Sequence, residues 1–256
     1  MAGDDRMDRG PFGRPSDPPP REYASGSPTG VWRPADRSDD PKPILCVRVD
    51  LDYVPWDTPD AEEFGHGEPA MVLRLLNWAD QLGLPLHFFA SNRVLRAFPT
   101  SASTIIRAGH DLDWLAKHPD QPGRTMEAKT LLSRLAAGLQ GMALKSRWPE
   151  SQPVPDYLTF VSCPEGLGPR GLRCFVVAAL QDRDAVRSGA SARAWADSLR
   201  RHIRSAASLN RTTTIVVRPQ VLARFDRRLQ LLKEVVTLAQ AVGLRVGTLR
   251  DALRSP

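Results

Sequence analysis

The nine residues ILCVRVDLD, at positions 44–52, are the most informative stretch of this sequence. Residues 44–49 form a short apolar run rich in β-branched side chains, which indicates a buried strand. The run ends in Asp50 and Asp52, whose side chains point to the same side of a strand because they are two positions apart. One carboxylate could bind a metal while the other acts as a base, or both could cap a loop or pair with arginine. On this pair alone the two interpretations are level.

Strand-like and helix-like segments alternate downstream of this first strand. Buried strands are predicted at residues 85–90, 111–115 and 213–217, weaker strands at 145–148, 157–162 and 174–177, and long helices at 126–139 and 192–208. The alternation predicts an α/β protein with a mainly parallel sheet, either open or closed as a barrel. In both architectures catalytic groups gather at the carboxyl ends of strands. There the sequence places Asp50, Asp52, His118, Arg147 and Arg218.

Residues 1–43, upstream of the first strand, have a different composition. They contain nine prolines and five glycines among mixed charges, with few large apolar side chains. Such a segment buries too little apolar surface to offset its ordering entropy. We therefore predict a disordered tail over residues 1–43 and one domain over residues 44–254.

Composition narrows the classes of function. The chain has 256 residues, with 41% hydrophobic and 25% charged side chains, as is usual for a globular protein. We expect no membrane span, because no apolar run is long enough, and a cytoplasmic protein, because no secretory signal is visible. The net charge of +6 comes mostly from arginines on predicted helix surfaces, so we expect no nucleic-acid partner.

The order of the motifs is similar to that of the NodB-homology polysaccharide deacetylases. The segments that carry this resemblance are the strand ending in two aspartates, GLPLHFFA at residues 83–90, GHDLD at 109–113 and His-Pro at 118–119. It covers roughly residues 44–253 and is strongest over residues 82–119. The resemblance implies a distorted, incomplete (β/α) barrel of the glycoside hydrolase/deacetylase type. It also implies removal of acetyl groups from sugars by a divalent metal, commonly zinc, held by one aspartate and two histidines.

The resemblance assigns a role to each matching position. Asp50 would be the catalytic base and Asp52 the metal-binding aspartate, although in the family the two aspartates are usually adjacent. His118 would be the second metal histidine. Arg147, in the sequence RWP at 147–149, would orient the catalytic aspartate.

Two positions depart from the family pattern. The first metal histidine is expected where Trp114 stands, or at Leu115 because the segment is one residue short. Arg218 stands where the family has a histidine that acts as general acid. Arginine stays protonated at any working pH, so it cannot supply and recover a proton, although it could stabilise an oxyanion.

These departures leave Asp52 and His118 as metal ligands, where catalytic zinc usually has three protein ligands. His66 or Asp113 could supply a third, but nothing in the spacing requires it. The sequence therefore predicts a catalytically degenerate deacetylase-like domain that serves as a carbohydrate-binding or interaction module. The alternative is an active metal-dependent carbohydrate or amide hydrolase with rearranged ligands. Trp114 could stack on a sugar ring or simply fill the former metal cavity.

Overall fold

The computed structural model describes residues 42–52, 69–117, 123–178 and 181–254. All of them belong to one compact unit. Nearly all of the predicted tail, His66 and His118 lie outside the described residues. The domain limits of 44–254 therefore stay a prediction.

The strands form a single parallel sheet that curves into a nearly closed barrel. The strand order is β6-β5-β4-β3-β2-β1-β7, and one parallel bridge between Val177 and Thr214 connects the end of β6 back to β7. A short β8 pairs with Ile44 and Leu45 of β1, on the edge opposite β7. The strands are β1 Ile44–Leu51, β2 His87–Ala90, β3 Asp111–Ala116, β4 Gly141–Leu144, β5 Phe160–Cys163, β6 Arg173–Val176, β7 Thr213–Val217 and β8 Arg245–Val246. This arrangement confirms the predicted incomplete (β/α) barrel.

Helices cover the outside of the barrel. They are α1 Pro69–Leu82, α2 Asn92–Ala97, α3 Pro99–Arg107, α4 Arg124–Arg134, α5 Asp182–Arg187, α6 Ala192–Ser208, α7 Pro219–Phe225, α8 Gln230–Ala241 and α9 Leu249–Arg254. Within the described ranges, no helix has the length and apolarity needed to cross a bilayer. The cytoplasmic location stays a prediction.

Alternation along the strands divides the core into two layers. One side chain from each of β2 to β6, together with Ile44 and Cys46 of β1, fills the barrel interior, and Leu249 and Ala252 of α9 join this cluster. The opposite faces of the strands pack against the surrounding helices in a larger cluster. Because both faces are covered, every residue of β1 is buried.

Three predicted elements differ from the structure. The strand expected at residues 145–148 is β4, four residues earlier, because its GMAL sequence is short and begins with a glycine. The helix expected over residues 126–139 ends at Arg134, because Ala136 adopts a left-handed φ of 58°. The strand expected at residues 157–162 starts at Phe160.

Gly141 provides a test of the packing inside the barrel. A Cβ atom at Gly141 would lie 2.0 Å from Cζ of Phe160, whose ring is fixed by Phe89 and Phe175. We therefore expect Gly141→Ala to lower the free energy of unfolding by about 1–3 kcal/mol, measured by urea denaturation. Gly138→Ala is the matched control, because no atom lies within 4 Å of its added Cβ. Equal midpoints for the two variants would contradict this packing.

Candidate functional site

Arg48 and Asp50 form an ion pair inside the barrel. They lie two positions apart on β1, so both side chains point inward. Arg48 Nε and Nη2 donate to the two oxygens of Asp50 at 2.6 and 2.9 Å. Arg48 Nη1 also donates to the backbone oxygen and the hydroxyl of Ser162 on β5, at 2.9 and 3.1 Å. The carboxylate of Asp50 is therefore held in a bidentate contact and is fully buried.

Asp52 lies two residues beyond Asp50, at the open end of the barrel, and contacts two lysines. Lys145 Nζ, just after β4, donates to Oδ2 at 2.5 Å. Lys117 Nζ, just after β3, lies 2.8 Å from Oδ1. Asp52 is only 4% exposed. The carboxylate that the family resemblance assigns to a metal is thus neutralised by ammonium groups.

Arg218 joins this group from the end of β7. Its guanidinium binds Asp182 at the start of α5 and donates from Nη2 to Gln181 Oε1 at 2.9 Å. Nη2 also lies 3.6 Å from Asp50 Oδ2. The backbone N–H of Arg218 donates to Asp182 as well. Arg218 therefore connects Asp50 of β1 to the first turn of α5.

Burial and charge act in opposite directions on these groups. Burial by itself would raise the pKa of Asp52, but Lys145 and Lys117 outweigh it and the pKa lies below its usual value. Burial lowers the pKa of Lys145, with a contribution from Arg218. Burial also raises the pKa of Asp182, although Arg218 opposes this. The site is a compact group of mutually dependent charges.

The structure brings together three of the residues singled out in the sequence, namely Asp50, Asp52 and Arg218. Arg147 is exposed and lines a separate cavity with Trp148 and Pro149. In the described part of the chain, the arginine that binds Asp50 in two places is Arg48. The roles assigned to these residues stay predictions, and His118 lies outside the described residues.

Trp114 faces the helices rather than the barrel interior. Its side chain is 2% exposed and belongs to the outer core layer. Its Nε1 donates to Asn92 Oδ1 at 2.6 Å. Leu115, the next residue, points into the barrel and packs with Phe89. Of the two positions considered for the first metal histidine, Leu115 is therefore the one on the inner face, and a sugar could stack on Trp114 only after local rearrangement.

Three cationic residues of this site, Arg48, Lys117 and Lys145, were not predicted from the sequence. A charged Arg48 inside an otherwise apolar strand, two positions before Asp50, is the signal that could have identified it. Lys117 and Lys145 gave no such signal, because each lies in a loop where a lysine is usual. They contact Asp52 because β1, β3 and β4 end on the same side of the barrel.

The described residues do not fit a divalent metal as they are placed. No group of three or more His, Cys, Asp or Glu side chains within these residues could hold a metal ion. Both oxygens of Asp52 face lysine ammonium groups. Asp113, considered as a third ligand, instead binds His87 and Arg250. A metal at Asp52 would have to displace two cations that already neutralise this carboxylate.

Asp113, His87 and Arg250 form a second polar cluster within the barrel. The backbone N–H of Leu249 donates to His87 Nδ1 at 3.1 Å, so the ring proton is on Nε2, which donates to Asp113 at 3.0 Å. Arg250 on α9 binds both oxygens of Asp113. This cluster fixes α9 to the barrel and has a structural role.

Comparisons with known proteins support the fold but not an activity. No family model matches the sequence, and no curated protein matches it. Among solved structures, one described as a "putative polysaccharide deacetylase" from Mycobacterium smegmatis has a TM-score of 0.59 at 14% identity, over 87% of this chain and 93% of that chain. The allantoinase PuuE has a TM-score of 0.66 at 14% identity, over 88% and 97%.

A CE4 family pseudoenzyme from Bacillus anthracis has a TM-score of 0.54 at 10% identity, over 82% of this chain and 65% of that chain. At identities this low, structural likeness establishes the fold alone. The chain therefore has the fold of the polysaccharide deacetylases, as the sequence resemblance implied.

The buried ion pair of β1 can be tested by removing its charges one at a time. Arg48→Met leaves Asp50 buried, with Arg218 as a cation at 3.6 Å. We expect the free energy of unfolding to fall by about 3–5 kcal/mol, because the buried carboxylate loses both hydrogen bonds from Arg48 and keeps only the longer contact to Arg218. The double variant Arg48→Met/Asp50→Leu should recover part of this loss. A double variant less stable than the single one would contradict the assignment, and urea denaturation measures both.

The two lysines should make the contribution of Asp52 depend on pH. Because the pKa of Asp52 is lowered in the folded state, its stabilisation is fully present above the unfolded pKa of about 3.9. It is lost as the pH falls through the lower folded pKa. The difference in unfolding free energy between the native protein and Asp52→Asn should therefore shrink from pH 7 to pH 3. A difference that grows on acidification would show that the lysines do not stabilise this carboxylate.

Proposed function

We propose that this chain is a divergent polysaccharide deacetylase-like domain that does not perform metal-dependent deacetylation and uses the mouth of its barrel for binding. The observation that supports this most directly is the state of Asp52, whose two oxygens lie 2.8 and 2.5 Å from Lys117 and Lys145. Two ammonium groups carry the same charge as one divalent metal. They therefore supply the electrostatic compensation that a metal would supply, without its Lewis acidity.

The surroundings of Asp50 support the same proposal. A general base needs an oxygen that can reach and accept the proton of the attacking water. Both oxygens of Asp50 are already acceptors from Arg48, inside the barrel and fully buried. Water could approach this carboxylate only if the bidentate contact opened.

Arg218 also lacks the chemistry of a general acid. Burial would lower the pKa of its guanidinium, but Asp182 and Asp50 outweigh this effect and raise the pKa above its ordinary value. A guanidinium that never deprotonates cannot cycle a proton during turnover. Its contacts to Asp182 and Gln181 instead suit a role in holding the site together.

One structural neighbour shows that this fold accommodates loss and recovery of activity. The Bacillus anthracis protein is described as a CE4 family pseudoenzyme, and a mutant of it as having restored enzymatic activity. The fold is thus compatible with a non-catalytic state. The second candidate function is an active hydrolase with rearranged ligands. It is favoured by the two aspartates two positions apart, Asp50 inside the barrel and Asp52 at its mouth, and it makes a different prediction for metal binding.

Calorimetric titration of zinc into the full chain separates the two candidates. For the native protein we expect weak binding that is unchanged in Asp52→Ala and His118→Ala. Removing the competing ammonium groups in Lys117→Met/Lys145→Met should strengthen zinc binding at least about tenfold, because the carboxylate becomes available. This gain should disappear when Asp52→Ala is added.

Lys233→Met serves as the matched control, because Lys233 is exposed on α8, outside this site. It should bind zinc as the native protein does. Tight binding by the native protein that both Asp52→Ala and His118→Ala abolish would overturn the proposed function and support the rearranged hydrolase.

A further inference from the structure

Two cysteines on neighbouring strands lie with their sulfur atoms in contact. Cys163 is the last residue of β5 and Cys174 is the second residue of β6, and their Sγ atoms are 3.3 Å apart. A disulfide bond needs about 2.05 Å between the two sulfurs, so an approach of about 1.3 Å would bring them to bonding distance. The chain has three cysteines, and all three are free thiols in this structure.

The two thiols of the pair differ in their access to solvent, and this difference sets the order in which they can react. Cys163 is fully buried, and burial raises the pKa of its thiol to about 12, with a further contribution from Cys174. Cys174 is exposed. The thiolate is the reactive form of cysteine, and it must reach its oxidant. Cys174 is therefore the residue that can attack first, and Cys163 is placed to complete the bond.

The third cysteine is separated from this pair by the wall of the barrel. Cys46 lies on β1 and packs in the interior cluster with Phe89 and Phe160. Cys163 belongs instead to the outer core layer, between the sheet and the helices. Burial also raises the pKa of the Cys46 thiol. We therefore expect Cys46 to stay reduced while the other two cysteines react.

The thiol pair lies at the base of the loop that joins β5 to β6, residues 164–172. A Cβ atom at Gly168 would lie 3.4 Å from Cys163 Sγ and 3.5 Å from Cys174 Sγ, so the loop backbone passes close to both sulfurs. The same loop forms part of the wall of a cavity of about 430 Å³, which Trp148 also lines. A bond between the two sulfurs would therefore tie down the base of a cavity wall.

Strand β6 also gains from a link to its neighbour. It stands at one end of the strand order, and in the described part of the chain one parallel bridge joins its end to β7. Three of its four residues are exposed, whereas β5 is buried throughout. A covalent bond to β5 would therefore restrain a strand that the rest of the fold covers little.

We propose that Cys163 and Cys174 are a redox site that forms a reversible disulfide by exchange with a low-molecular-weight disulfide, such as glutathione disulfide. The thiolate of Cys174 attacks one sulfur of the oxidant, whose S–S bond breaks, leaving a mixed disulfide and one small thiolate. Sγ of Cys163 then attacks Sγ of Cys174 and displaces the second small thiolate, which takes the proton of Cys163. The first small thiolate takes up the proton that Cys174 lost to solvent.

The reaction is balanced in atoms and electrons. The two protein thiols lose two electrons and two protons, and the oxidant is reduced to two small thiols. Neither step involves Asp52 or a metal, so the redox site goes beyond the proposed function and does not depend on it.

The test is to incubate the reduced full chain with glutathione disulfide and to block the remaining thiols with N-ethylmaleimide under denaturing conditions. Mass spectrometry of tryptic peptides then locates the bond, because Arg170 and Arg173 lie between the two cysteines. We expect the peptides 148–170 and 174–183 to be joined, Cys46 to carry N-ethylmaleimide, and dithiothreitol to separate the two peptides.

Single substitutions test the order of the two steps. Cys163→Ala removes the second thiol, so Cys174 should accumulate as the mixed disulfide with glutathione. Cys174→Ala leaves only the buried thiol of the pair, so Cys163 should stay free. Cys46→Ala is the matched control and should form the same bond as the native protein. Circular dichroism confirms that each variant is folded, and Cys174→Ala, which replaces an exposed side chain, remains informative if Cys163→Ala does not fold.

The bond should also stabilise the fold, because it closes a loop between residues 11 positions apart. We expect the oxidised native protein to have a Tm at least about 3 °C above that of the reduced protein. Cys174→Ala should have the same Tm under both conditions. Absence of the joined peptides, a disulfide that contains Cys46, oxidation of Cys163 in Cys174→Ala, or an equal Tm for the two forms of the native protein overturns the inference.

Discussion

The contact between Arg48 and Asp50 is the constraint on which the rest of the site depends. Both charges are buried inside the barrel, and a buried charge without a partner costs several kcal/mol. Arg48 Nε and Nη2 donate to Asp50 along β1, and Ser162, across the barrel, accepts from Arg48 Nη1. Arg218 approaches Asp50 from β7, and Asp182 neutralises Arg218 in turn. The positions of four elements are therefore coupled through electrostatics as well as through apolar packing.

The two polar clusters of the barrel differ in what they leave available. Asp113, His87 and Arg250 satisfy one another and the neighbouring backbone, and α9 packs over them. At the mouth, the described residues pair Asp52 with Lys117 and Lys145, and both lysines are partly exposed. Of these two clusters, the one at the mouth is therefore the more exposed to solvent. This asymmetry agrees with the general placement of binding sites at the carboxyl ends of parallel strands.

Compensation by lysines instead of a metal changes what the mouth can do. A metal activates water and polarises a carbonyl, whereas an ammonium group offers charge and hydrogen bonds but no open coordination position. The same barrel architecture is therefore compatible with a mouth that holds a metal and with one in which ammonium groups neutralise the carboxylate. The fold by itself does not fix the chemistry, because apolar alternation builds the barrel whereas a few side chains at the strand ends build the site.

The sequence by itself determined the parallel α/β architecture, because the strand 44–52 and the alternation that follows it are local patterns. It also placed Asp50 and Arg218 on the same side of the barrel, where they lie 3.6 Å apart, but it placed Arg147 there too, and Arg147 lines a separate cavity. It did not indicate that Lys117 and Lys145 meet at one carboxylate, since they lie 28 positions apart in loops after different strands.

Only the tertiary structure decided these pairings, and it also decided that Trp114 faces the helices while Leu115 faces the barrel. Side-chain direction depends on strand register, and a shift of one residue reverses it. Gly141 was similarly inconspicuous, because its need for a hydrogen side chain comes from the ring of Phe160 on the neighbouring strand. The local pattern specifies the elements, whereas the charges and contacts of the site follow from which elements become neighbours.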